Sequence, residues 1–170
     1  MFNPERIISR LDKNRNVFQS LLSDTDDEQI YFQPAPGKWC LLEIVCHLYD
    51  EEREDFRARL KHVLTTPDQP LPSIDPQGWA ASGKYKNRDF KIAFENFLDE
   101  RKKSLDWLQS LPHPDWNQFY SHPKFGPMSG KLFLSNWLAH DYLHMRQIIF
   151  TRHSFLGTMS GENLKYAGDW

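Results

Sequence analysis

Residues 129–152 read SGKLFLSNWLAHDYLHMRQIIFTR, and the fold turns on how this stretch is read. Ser129 stands before an apolar series, Phe133, Trp137, Ile148 and Thr151, that recurs at helical spacing, which predicts a helix capped at Ser129 and running to about Arg152. Within it His140 and His144 lie four residues apart, one turn along the same face and roughly 6 Å from each other. Two imidazoles so placed can grip one metal ion. The pattern alone also describes two surface histidines, but the neighbours Leu134, Trp137, Leu138, Leu143, Ile148 and Ile149 leave little of this helix wet. A buried imidazole without a partner costs about 1–3 kcal/mol, so something should satisfy the pair.

Helical periodicity extends through most of the chain. Asn3-Pro4 reads as a cap followed by a first-turn proline, and Ile7, Leu11, Phe18, Leu21 and Leu22 mark one face of a first helix over residues 4–22. An acidic patch, Asp24 to Glu28, precedes the breaker-rich turn Pro34-Ala-Pro-Gly-Lys38. A second helix runs from about Cys40 to Leu64, burying Leu41, Ile44, Val45, Leu48, Phe56, Leu60 and Leu64, while its charged run from Asp50 to Arg59 reads as a solvated face. A third spans about Arg88 to Leu111 on Phe90, Phe94, Phe97, Leu98, Leu105 and Leu108. Residues 65–87 form a long connection broken by Pro67, Pro70, Pro72, Pro76 and Gly78; loops of that length tend to be functional or disordered. The stretch from Pro112 to Pro127 is rich in turn residues, no run reads as a strand, and Ser154 to Trp170 lacks a clear period. Four long amphipathic helices predict an all-α four-helix bundle, one domain over residues 1–170.

With 21 basic and 23 acidic residues the formal charge is −2, and no basic stripe interleaves with aromatics, which argues against nucleic-acid binding. No apolar run approaches the roughly 20 residues needed to span a bilayer, and residues 1–6 lack a signal-peptide pattern, so no membrane association and a cytoplasmic location are expected. Cys40 and Cys46 are about 600° of helix apart, which favours reduced, packed thiols over a disulfide.

A third histidine, His47, sits in the apolar segment Ile44-Val-Cys-His-Leu48, and facing the pair on a neighbouring helix it becomes a third ligand. The other four histidines are out of reach. His153 is half a turn out of phase with the pair and about 13 Å beyond it, and His62 lies more than about 20 Å along its helix from His47. His122 precedes the fourth helix, and His113 sits between prolines. Glu51, one turn after His47, is a candidate general base, fourth ligand or hydrogen-bond acceptor for an imidazole. Gln147 shares the face of His140 and His144, whereas Asp50 and Asp141 point about 60–100° away. Asp75, Trp79 and Tyr85, on the long connection, are candidates to roof a substrate pocket.

Pro36-Gly-Lys-Trp39 leading into Glu43-Ile-Val-Cys-His47-Leu-Tyr-Asp50-Glu51-Glu52 resembles the second-helix signature of the DinB/YfiT-like superfamily. His140-Asp-Tyr-Leu-His144-Met-Arg-Gln147-Ile148 is similar to its fourth-helix signature, and the closing segment Leu164 to Trp170 resembles the tail of some members. The resemblance implies a bundle of up-down-down-up topology whose long crossover joins helices two and three. It implies a divalent ion, zinc or nickel, on His47, His140 and His144, and in many members a homodimer. Relatives include metal-dependent hydrolases, transferases using low-molecular-weight thiols, and a thiol-dependent isomerase.

Two kinds of function follow. Three protein ligands leave an open position, as in catalytic zinc sites, where water or a thiol is acidified; the expected partners are then a small-molecule substrate or a low-molecular-weight thiol. Alternatively the chain is a non-catalytic metal-binding module serving in stress response or interaction, its fourth position permanently filled. A helical metalloprotease fits poorly, because such enzymes place glutamate after the first histidine of the pair and Asp141 stands there.

Overall fold

The computed structural model describes residues 1–76 and 78–168. Asn3 starts α1 (Pro4–Leu22) by accepting the Arg6 amide on its side chain, which satisfies one of the free N–H groups of the first turn. The acidic patch supplies a short helix α2 (Asp27–Tyr31), capped by Asp26. The turn Ala35-Pro36-Gly37-Lys38 closes with a hydrogen bond from Lys38 N to Ala35 O at 3.0 Å. Gly37 takes φ +76°, the conformation that a type II turn requires after proline.

The second long helix is not uniform. It runs as α3 (Leu41–Asp50), a π turn at Glu51–Phe56 and α4 (Arg57–Thr65). In the π turn the Arg57 amide donates to the Glu52 carbonyl five residues back. The extra residue in that wide turn brings Glu51, Glu52 and Phe56 all to the inner face. The run from Asp50 to Arg59 is therefore not simply a solvated face: Asp50, Glu51 and Glu52 are buried. The connection that follows holds a four-residue helix α5 (Trp79–Ser82) and a 3-10 turn at Tyr85–Asn87 before α6 (Phe90–Ser110), which Asp89 caps.

Two further features depart from the sequence reading. Residues expected to be turns pair as an antiparallel hairpin, β1 (Phe119–His122) with β2 (Gly126–Ser129), Phe119 opposite Ser129 and His122 opposite Gly126. Strands of four residues with proline and glycine among them carry too little alternation to be recognised. The hairpin delivers Ser129 as the cap of α7 (Gly130–Ser160), accepting the Leu132 amide. That helix passes Arg152 and ends only at Gly161, φ +68°. Its last turns hold Ser154 and Thr158, whose hydroxyls bond back to carbonyls four residues earlier, and their polarity hides the helical period.

Contacts give the topology. Asn14 reaches Asp141 and Arg152 reaches the Leu21 carbonyl, so α1 and α7 run parallel. Phe18 packs on Phe97 while Leu11 meets Arg101, so α6 runs against α1. His47 faces His144 while Phe56 stacks on Trp137, so the second helix runs against α7. The order is up-down-down-up, with the crossover between α4 and α6. No helix among the described residues is long and apolar enough to cross a membrane. Asp169 and Trp170 of the closing motif lie outside the described residues; Leu164–Ala167 form a 3-10 turn.

The interior is split into two apolar clusters. One gathers Phe18, Leu48, Leu98 and Ile148; the other Leu11, Phe56, Leu105 and Trp137. Between them, on the four long helices in turn, lie Asn14, Glu52, Arg101 and Asp141, all buried. The bundle thus carries a polar layer at mid-height, on the level of the histidines.

Candidate metal centre

α3 begins at Cys40, whose amide donates to Glu43 Oε2 at 3.1 Å, a closed first turn that holds the helix start beside Trp39. Seven residues on, His47 is 7% exposed. His140 and His144 come from the middle of α7, where two imidazoles one turn apart meet with Nε2 atoms separated by 3.0 Å. The His47 ring centroid lies 5.4 Å from that of His140 and 4.9 Å from that of His144. One ligand nitrogen from each ring falls within 4.8 Å of the others. A tetrahedral ion with metal–nitrogen bonds of about 2.0–2.1 Å separates its donors by roughly 3.3 Å. One pair is near that spacing already, and modest ring rotations close the rest.

Burial sets the chemistry of the rings. The Trp39 ring lies 4.8 Å from His47 and the Phe56 ring 5.0 Å from His140. Desolvation first, then mutual repulsion with His144, holds the His47 pKa down at about 3. His140 is lowered by the same causes, and His144 by burial, against which Gln147 acts. All three are neutral at pH 7, the form that binds metal. His47 Nδ1 is buried without a hydrogen-bond partner. Neutral, buried, convergent imidazoles with an unsatisfied nitrogen fit a divalent cation.

The remaining candidates divide. Glu51 Oε1 is 3.8 Å from His47 Nε2, within reach of the triad, and its carboxyl is pushed up to about 8 by burial and the neighbouring Asp55. Gln147 lines a groove of about 660 Å³ together with Pro34, Lys38, Trp39, Leu143, His144 and Phe150. Tyr85 belongs elsewhere: it is fully buried and donates its hydroxyl to Asp50 at 2.7 Å. It packs on the Asp50 side of α3, about 100° round from the His47–Glu51 face. The Asp75 carboxylate accepts the Gly78 amide in its own loop, and Trp79 packs on the apolar cluster that holds Phe18 and Leu48. The wall beside His144 is thus the Pro34–Trp39 turn, not the long crossover. His62 bonds the Gln69 carbonyl, and His122 accepts amides within the hairpin. Trp39 and Glu52 belong to the second-helix motif, but nothing in it assigns them a place beside the histidines; Arg101 carries no mark in the sequence, since a charge in a charged run reads as ordinary surface.

These shifts give a pH prediction. Neutral buried histidines contribute stability above their unfolded pKa of about 6.5 that is lost as pH falls below it, about 1.4 kcal/mol per histidine per pH unit. Glu51 acts oppositely: raised from 4.5 to about 8, it contributes stability below 4.5 that is lost as pH rises through 8. His47 and His140 together already outweigh one glutamate on the acid side, and His144 acts in the same direction, so the metal-free protein is expected to be most stable near pH 6.5. Denaturant melts from pH 5 to 8.5 test this, and a profile flat between 5 and 6.5 refutes it.

A family model described as the DinB superfamily matches residues 10–148. A Bacillus licheniformis protein, provisionally named a metal-dependent hydrolase, is 25% identical over 148 residues, which cover 85% of this chain and 82% of that one. The solved structure of YfiT from Bacillus subtilis, described as a "probable metal-dependent hydrolase with an unusual four-helix bundle topology", superposes with a TM-score of 0.77 at 17% identity, covering 94% of this chain and 89% of that one. At that identity the likeness to YfiT is one of fold.

Proposed function

The chain belongs to the DinB superfamily, and from that premise we propose that it is a metal-dependent hydrolase in which His47, His140 and His144 hold one divalent ion, zinc or nickel. One observation carries the reading: His144 belongs both to the triad and to the wall of the groove, so the ligand set stands at the edge of a space that admits a small molecule. A divalent ion held by three imidazoles supplies a Lewis acid with a free position, able to polarise a carbonyl and to acidify water or a thiol. The protein's own part is orientation and proton handling. Trp39 and Phe56 pack the rings in place and exclude water from their faces. Glu51 Oε1, beside His47, is positioned to take and return a proton. The groove offers apolar contact from Leu143 and Phe150, and Lys38 and Arg146 on its lining suit an anionic group. A small substrate with an apolar body and one negative charge fits that lining. A low-molecular-weight thiol in place of water would make the same site a thiol transferase.

The test is element-resolved metal analysis of untagged protein, followed by turnover of an ester and amide panel and of thiol conjugation substrates, each with and without chelator. About one ion per chain and hydrolysis lost on chelation, restored by zinc or nickel, are expected. Activity only with an added thiol identifies the transferase. A firmly bound ion with no turnover in any arm identifies a non-catalytic module, and a chain that takes up no ion overturns the reading.

A further inference from the structure

We infer that Arg101 is a positioning residue for the three histidines: its guanidinium ties the two histidine-bearing helices together and sets how far His47 stands from His140 and His144. Arg101, on α6, is 1% exposed and carries none of the proposed ligand chemistry itself. Its Nε donates to Glu52 Oε1 at 2.9 Å, Nη1 to Asp141 Oδ2 at 2.8 Å and to the Leu11 carbonyl at 3.2 Å, and Nη2 to Asp141 Oδ1 at 2.7 Å. Four of the five guanidinium N–H groups are thereby used, on three different helices.

Both anchors adjoin the site. Asp141 follows His140 directly, and Glu52 follows Glu51. The Asp141 carboxylate takes two bonds from Arg101 and one from Asn14 Nδ2 at 2.9 Å, so α7 cannot turn about its axis without breaking all three. Since Asp141 projects about 100° from His140, fixing the one fixes the other. On the opposite helix, Glu52 Oε2 also accepts the Trp137 indole N–H at 3.0 Å, a second tie between the histidine-bearing helices at the same level. Stability alone is a weak reason for three buried charges, because well-packed apolar side chains of the same volume often do as well or better. Directional, two-toothed bonds are what a fixed spacing across helices requires, and lysine does not provide them.

The ion-binding arm of the test rests on the metal reading above; the geometric arm does not. Full-length wild-type protein, Arg101→Lys and the charge-free triple variant E52Q/R101M/D141N are titrated with Zn²⁺ against a competing chelator. Ring-to-ring proton NOEs between His47 and the α7 histidines are recorded on the metal-free proteins. In variants that stay folded, Zn²⁺ affinity is expected to fall about 10–100-fold, the usual cost of disturbing groups behind metal ligands, with the NOEs weakened or lost. Wild-type Zn²⁺ affinity and intact NOEs in a folded variant overturn the proposal. Failure of both variants to fold overturns it too, since Arg101 is then a stability residue. If wild-type protein takes up no zinc, the metal reading fails by itself and the NOEs alone decide the role of Arg101.

Discussion

His140→Ala should abolish retention of a divalent ion, with affinity lost by more than the roughly 100-fold ceiling seen for groups behind the ligands. His140 is in ring contact with both others, as each member of the triad is: its Nε2 lies 3.0 Å from that of His144, and its centroid 5.4 Å from that of His47. Without it, two nitrogens from two helices remain, too few for a site that must also leave room for a substrate. The same substitution carries a second signature in metal-free protein. One fewer buried imidazole has to be kept neutral, so the fall in stability below pH 6.5 should become shallower by about one histidine's share, 1.4 kcal/mol per pH unit. Metal content measured beside denaturant melts at pH 5.5 and 7.5 reads both effects. Full ion retention by the variant, or an unchanged acid slope, would show that this ring is not part of a common site.

The largest loss of stability is expected from Asp141→Ala, about 3–5 kcal/mol, or a melting temperature lower by roughly 10 °C for a chain of this size. Asp141 is fully buried and its carboxylate receives three hydrogen bonds, two from Arg101 and one from Asn14. Removal leaves a buried guanidinium with one carboxylate partner, Glu52, and strands the Asn14 amide between two apolar clusters. Asp141→Asn keeps one acceptor oxygen and the side-chain volume and should cost less. Thermal melts of the two variants at pH 7 decide it, and equal, small losses would mean that water takes over these bonds.

The sequence makes the helices legible because each presents one apolar stripe and begins at a capping side chain; Asn3 and Ser129 act as their positions predict. The triad was legible for a related reason, since spacing by four puts two histidines on one face and an apolar segment around His47 points that ring inward. What escaped reading depends on partners far along the chain. Nothing local distinguishes Glu52 or Asp141 from solvated helix charges, because their burial depends on Arg101 meeting both from a third helix. Tyr85 fails as a pocket residue for a similar reason: a proline-broken connection reads as a lid, whereas the tyrosine is drawn inward by a carboxylate 35 residues earlier. The hairpin is short enough that its turn residues conceal its strands.

The wide turn at Glu51–Phe56 makes the residue count of its helix a matter of function. Upstream of it the inward face carries His47 and the apolar side chains Ile44, Val45 and Leu48, and downstream it serves the cluster of Leu11 and Trp137, with Leu60 and Val63 wholly enclosed. A chain shorter by one residue there, for instance at solvent-facing Glu54, would regain a regular coil while putting its two halves about 100° out of step. Either the histidine or the downstream leucine stripe would then look outward. The surplus residue works as a phase shifter, letting one continuous rod present two differently timed faces to the same interior.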